Sequence, residues 1–233
     1  MQARGKAAST IKTEISAVRF WHDQVPNARY VLPKNEELDL ERRKFGGIDR
    51  SWSQEEYNRM IALCWELERE DYAAIFTLTH YAGLRIHECF KIDTAIAEKA
   101  LKINEITIRG KGGRVRSVPI NESIKIELEK MLKVTERGKK LFVPDGIQTH
   151  IAINRLQKFI YEHKEQVQDP DSTRPFTHHG LRHLYTAEQY LALREKGDND
   201  LTARKKASHL LGHNRHEITK VYLASLSRME GSQ

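Results

Sequence analysis

The chain has 233 residues, with 39 Lys plus Arg against 32 Asp plus Glu, for a formal net charge of +7. That length suits one full domain and a smaller appended piece. The cationic balance favours a polyanionic partner, nucleic acid first, although charge alone fits a merely soluble basic protein equally well. The two cysteines, Cys64 and Cys89, sit in apolar helical patterns and form no CxxC pair, which argues against a disulfide framework or a thiolate zinc site and for a reducing cytoplasm. The first residues lack the apolar core of a signal peptide, and no run approaches the ~18 apolar residues of a membrane span.

Residues 9–24, STIKTEISAVRFWHDQ, place Ile11, Ile15, Val18 and Trp21 on one helical face behind a Ser or Thr cap. The following PNARYVLPKNEELDLERRKFGG is dense in charge and broken by Pro26, Pro33 and Gly46-Gly47. It reads as a linker ending near Asp49. A capping box, Ser53 followed by Glu56, then opens a helix running to about Arg69. A second apolar helix, DYAAIFTLTHYAG, stops at Gly83. INEITIRG and RVRSVPI, alternating and joined by Lys111-Gly112-Gly113, predict a β-hairpin. Helical patterns return in NESIKIELEKMLK, THIAINRLQKFIYEHKEQV, the segment from Thr177, LTARKKASHLLG and HEITKVYL. The fold class is therefore α+β, mainly helical, with one small antiparallel sheet.

Four clusters could carry chemistry. In GLRIHE, Arg85 and Glu88 are helical neighbours, which by itself suits a surface ion pair of little worth. The hairpin tip RGKGGRVR gathers Arg109, Lys111, Arg114 and Arg116 around glycines that admit close approach of a ligand. It matches neither GxGxxG nor GxxxxGK[ST], and a solvated basic turn is the plain alternative. In HHGLRH, His179 lies at i, i+3 from Arg182 and i, i+4 from His183. A metal would want Glu after the first His, where Gly180 stands, so a histidine cluster or phosphate chemistry competes with metal binding. Finally, LLGHNRHEITKVYL sets Tyr222 nine residues after His213, and a buried tyrosine on a short helix would explain it alone.

Combined, the clusters suit metal-free phosphoryl transfer. Arg85 and Arg182 can grip non-bridging oxygens bidentately, with His213 donating a further hydrogen bond. A tyrosine, with a pKa of about 10, needs a proton acceptor and cationic surroundings to act as nucleophile, and His179 can accept. Lys111 on a mobile hairpin can protonate the departing sugar oxygen. Glu88 orients Arg85, and His183 supports the site from behind.

This set, in this order, resembles the tyrosine recombinase (phage integrase) family: GLRxxE at 83–88, the hairpin lysine in GKGGRVRSVPI, HxLRH at 179–183, and LGH followed by Tyr222. The resemblance covers about Ser51 to Tyr222. It implies a catalytic domain over residues 51–233, preceded over 1–50 by only the last helix and linker of a core-binding domain. It further implies attack by Tyr222 on DNA to leave a 3′-phosphotyrosyl link and a 5′-hydroxyl, with no cofactor, metal or ATP. Double-stranded DNA is the expected partner, contacted by Arg109, Arg114, Arg116, Lys205 and Lys206. A tetramer on paired sites, accessory DNA-bending proteins, and a cytoplasmic, nucleoid-associated setting of prokaryotic or phage origin are also expected. The segment between Arg182 and His213 is expected to hold an extended loop. A relaxing enzyme of type IB topoisomerase kind and a non-catalytic DNA-binding module of the same fold are the alternatives.

Overall fold

A computed structural model of the chain describes residues 6, 8–27, 29–38, 49–110, 113, 115–170, 172–212 and 226. The chain divides into two units, Met1–Phe45 and Gly46–Gln233. In the first, helix α1 spans Ala8–His22, so it begins before the Ser or Thr expected to cap it. Arg19 donates to Asn35 Oδ1 at 2.8 Å and to the Pro33 carbonyl, which folds the following segment back along the helix. Ile15, Val18, Leu32, Pro33 and Leu38 line the apolar cleft this makes. Of the expected apolar face, Ile11 is buried but Trp21 is 70% exposed.

The second unit begins with α2 (Gln54–Glu66), whose capping box forms as expected: Glu56 N donates to Ser53 Oγ at 3.1 Å and Ser53 N to Glu56 Oε2 at 2.8 Å. Helix α3 (Glu70–Ala82) is buried at every residue from Tyr72 to His80. A helix apolar all round belongs at the centre of a domain, and α3 packs against α2, α6 (Glu122–Val134) and α8 (His178–Glu195). Its Phe76 and Leu78 join Trp52, Met60, Ile92, Ile106, Leu128, Leu156 and Leu181 in one core, each large side chain contributing about 1.5–3 kcal/mol by leaving water.

Gly83 ends α3 in the left-handed conformation at φ +58°. A short α4 (Ile86–Cys89) and α5 (Thr94–Ile103) follow. Helix α5 is absent from the elements read from the sequence, although Asp93 caps it by accepting from Ile96 N at 2.8 Å. Strands β1 (Glu105–Arg109) and β2 (Val115–Pro119) form the antiparallel hairpin, with Ile108 opposite Arg116. Helix α7 spans Thr149–Val167.

Residues 196–199 form a tight turn between α8 and α9 (Asp200–Leu210), so the extended loop expected there is helix instead. The cause is local: Gly197 takes φ +91°, and Asn199 caps α9 by accepting from Thr202 N at 2.9 Å. HEITKVYL lies outside the described residues. Cys64 and Cys89 are buried free thiols.

A polar network ties the start of this unit to the segment between α7 and α8. Buried Glu56 accepts from Arg174 Nη2 at 2.7 Å and from Asp169 N at 2.9 Å, and Arg174 also reaches the Ser51 carbonyl. Asp169 in turn meets Arg59 at 2.5 Å and Arg174 at 3.2 Å. Gly180 lets the start of α8 approach Trp52: a Cβ there would lie 2.4 Å from Trp52 Cδ1 and 2.5 Å from the Arg50 carbonyl. The indole N–H donates to the Thr177 carbonyl at 2.9 Å and its ring stacks on Phe176 at 4.2 Å.

Candidate active site

The end of α3 is where the predicted cationic residues meet. Arg85 is the N-cap of α4 with extended backbone, and Glu88 is the third residue of that helix. The carboxylate of Glu88 is fully buried and accepts from Arg85 N at 2.8 Å, Arg85 Nη1 at 2.9 Å and Arg116 Nη2 at 2.8 Å. Burial alone would raise its pKa. The Arg116 charge, the Arg85 N–H and the Arg85 and Arg182 charges outweigh that and hold it below the ordinary carboxylate value. The weak surface pair that the spacing alone allows is thus replaced by an enclosed one.

Arg182, on the buried face of α8, is 1% exposed. Its guanidinium donates to the carbonyl of Gly83 and, at 2.6 Å, to that of Leu211. Arg116 shares one of those acceptors: Nη2 reaches the Gly83 carbonyl at 3.4 Å while Nη1 donates to the Leu210 carbonyl at 2.5 Å. Burial lowers the Arg116 pKa, with Glu88 opposing the shift. Three guanidiniums therefore surround one carboxylate.

His179, one residue into α8, has its ring at the surface of the site, edge-on to the buried His183 with ring centres 5.1 Å apart. The dense protein around it, then the charges of Arg182, Arg85 and Arg50, lower its pKa to about 4, so at neutral pH the imidazole is uncharged. The preceding His178 is structural. It is buried, bonded through Nε2 to Thr79 Oγ1 at 3.0 Å, and pushed down to about 3 by burial first. A pocket of about 400 Å³ opens beside Arg85 and His179, with His87, Gln157 and Tyr161 on its other walls. The described residues hold no group of three His, Cys, Asp or Glu suited to a metal ion.

The structure brings Arg85, Glu88, Arg182, His179 and His183 together. Lys111, Arg114, His213 and Tyr222 lie outside the described residues. Among the expected DNA contacts, Arg109 and Lys205 are exposed. Lys206 is engaged by both oxygens of Asp198, at 2.8 and 2.7 Å. Arg116 departs from expectation, since its guanidinium is turned into the protein. The signal was in the strand alternation: residues 116, 118 and 120 share a face, and Val118 and Ile120 are core. Arg50, beside His179, carried no motif that marks it.

Residues 50–228 match the model of the phage integrase family, and the chain belongs to that family. It is similar to the tyrosine recombinase XerC of Caldanaerobacter subterraneus subsp. tengcongensis (strain DSM 15242 / JCM 11007 / NBRC 100824 / MB4), with 24% identity over 216 residues, covering 90% of this chain and 57% of that protein. The chain thus spans little more than half the length of that relative. Its fold matches the crystal structure of XerA recombinase (TM-score 0.57, 18% identity, 99% of this chain and 77% of that one). It also matches the Tn1549 transposon integrase in complex with circular intermediate DNA (TM-score 0.56, 17% identity, 98% of this chain and 81% of that one). The mainly helical unit with its two-stranded antiparallel sheet is a tyrosine recombinase catalytic fold.

Proposed function

We propose that residues 51–233 are the catalytic domain of a site-specific DNA recombinase or integrase, and residues 1–50 the trailing helix and linker of a core-binding domain. The observation that carries this reading is the surplus of cation in the site: Arg85, Arg116 and Arg182 against the single carboxylate of Glu88. Such a surplus in a semi-enclosed cleft favours an anion that spreads charge over two oxygens, as a phosphodiester under attack does.

In the proposed reaction, Tyr222 Oη attacks the scissile phosphorus and loses its proton to His179. The P–O5′ bond breaks, Lys111 protonates the leaving oxygen, and a 3′-phosphotyrosyl enzyme remains. His213 donates to a non-bridging oxygen. Attack by the 5′-hydroxyl of a partner strand reverses the chemistry and reseals DNA, with the bond energy kept in the tyrosyl link, so neither ATP nor metal enters. His179 is neutral at pH 7 and able to take a proton. An arriving phosphate offsets the Arg182 and Arg85 charges and returns its basicity towards the ordinary range. Arg182 must turn part of its fork from the Gly83 and Leu211 carbonyls to reach that phosphate. Arg109, Arg114, Lys205 and Lys206 flank the duplex in this reading, and a tetramer on paired sites with accessory bending proteins completes it.

The test is covalent trapping. Wild type and Tyr222→Phe are incubated with labelled plasmid DNA in chelator and quenched with detergent. Adduct in wild type that vanishes with Tyr222→Phe is expected. No adduct from wild type, even with a core-binding domain supplied, would favour the non-catalytic DNA-binding alternative.

A further inference from the structure

We infer that Arg116 is a positioning residue of this site: through Glu88, Gly83 and Leu210 its guanidinium holds in register the segments that carry Arg85, Arg182, Lys111 and His213, and it makes no contact with DNA. The inference rests on the recombinase reading. Arg116 sits on β2, the strand that leaves the hairpin loop bearing Lys111. Its Nη2 meets Glu88 Oε2 at 2.8 Å, and the other oxygen of that carboxylate holds Arg85 Nη1 at 2.9 Å. The same nitrogen reaches the Gly83 carbonyl, to which Arg182 also donates. Nη1 bonds the Leu210 carbonyl at 2.5 Å, at the end of α9. Beyond it comes Gly212, whose added Cβ would lie 3.1 Å from Arg116 Cδ, and then His213.

The side chain of Arg116 is 12% exposed, and Nε is enclosed with no hydrogen-bond partner among the described residues. A guanidinium so placed has no edge left for a phosphate. It spans three acceptors on two segments, which needs the rigid fork of arginine. A lysine ammonium concentrates its donors on one atom and cannot keep both ends of the span.

The test compares the 233-residue wild type with Arg116→Lys, Arg116→Met, Glu88→Asp and the Arg116→Lys/Glu88→Asp double variant. Binding to a mixed-sequence DNA duplex is followed by anisotropy over a salt series. Covalent adduct formation on supercoiled plasmid in chelator is followed at saturating protein. Rates are expressed per molecule able to bind the duplex, so lost folded protein does not count. For Arg116→Lys we expect affinity and the slope of affinity against salt to match wild type while the adduct rate falls steeply, since misplacing reacting groups by about 1 Å costs on the order of 100-fold. Glu88→Asp, which draws the carboxylate back from both arginines, is expected to show the same split, and the double variant to be no worse than the poorer single.

Two results overturn the role. One is an Arg116→Lys adduct rate equal to wild type. The other is joint loss of rate and affinity in Arg116→Met with the salt slope reduced by about one, which marks a phosphate contact. A wild type that binds duplex yet forms no adduct would instead sink the recombinase reading beneath it.

Discussion

Glu56 and Glu88 are both fully buried, and both meet arginine, but their surroundings balance differently. Around Glu56, two acids (Glu56 and Asp169) face two arginines (Arg59 and Arg174), and backbone N–H groups of Ser53 and Asp169 satisfy the remaining carboxylate lone pairs. Around Glu88, one acid faces three arginines. The first network is neutral and joins elements distant in sequence. The second keeps an unspent positive charge beside an opening. Net charge per network, more than the presence of buried ion pairs, separates a brace from a site.

Removing either carboxylate should give the largest effect. Glu56→Ala and Glu88→Ala each remove a fully buried carboxylate from part-buried arginines, and each is expected to cost about 3–5 kcal/mol in urea unfolding. Per folded molecule, Glu56→Ala should keep its rate of covalent adduct formation while Glu88→Ala loses it. Equal rates would erase the distinction drawn between the two networks.

Gly180→Ala comes next. Its Cβ would press on Trp52 and the Arg50 carbonyl, with an expected loss of about 1–3 kcal/mol and a shift in tryptophan fluorescence. Unchanged fluorescence and thermal midpoint would mean that the packing of α8 on Trp52 is looser than described.

Acid sharpens the comparison further. Burial holds His178 near pKa 3 and His80 near 4, against an ordinary 6.5. Between about pH 6.5 and 4 the unfolded chain therefore binds more protons at these rings than the folded one, and stability should fall as pH is lowered through that window. Glu188, whose Oε2 lies 3.8 Å from His80 Nε2, is raised to about 7 by burial. It binds a proton in the folded state first and so adds stability as pH falls from about 7 to 4.5. Glu188→Gln should make the acid loss steeper when thermal midpoints are read against pH. A shallower profile would contradict the assigned direction.

The smallest effect belongs to the caps. Ser53→Ala and Asn199→Ala are each expected to cost about 1 kcal/mol, with Ser53→Ala the larger because the Glu56 N–H that loses its Ser53 Oγ acceptor is part-buried, whereas the Thr202 N–H capped by Asn199 is exposed and water can replace the cap. A reversed order in chemical denaturation would separate the capping box from the brace it adjoins.

Much of this was legible before any coordinates. The Ser53–Glu56 box, the Gly83 stop, the glycine-linked hairpin and the helix opening at HHGLRH depend on residues within a few positions of one another, where spacing fixes geometry. Helix α5 is hidden in the sequence because its last residue, Ile103, runs straight into the alternation of the strand, and only the side chain of Asp93 marks its start. The partners of Arg116 and Arg182 were out of reach for a different reason. Leu210 and Leu211 lie far away in sequence, and their backbone carbonyls carry no residue-type signal at all. Motifs identify the groups a site needs, while the direction in which each guanidinium points is a tertiary result.

The backbone carbonyls that Arg116 and Arg182 use, one of them shared, are ends of helices. Gly83 closes α3, and Leu210 and Leu211 close α9, so two macrodipoles aim their negative ends at the same pair of cations. Each end is worth roughly half an elementary charge, enough to moor a guanidinium and too little to neutralise it. A second carboxylate would have moored the arginines more firmly and cancelled their surplus charge. Dipole ends do the mooring and leave the positive surplus almost intact, so the direction in which α3, a helix buried at the centre of the core, points its last turn helps set how strongly the site attracts an anion.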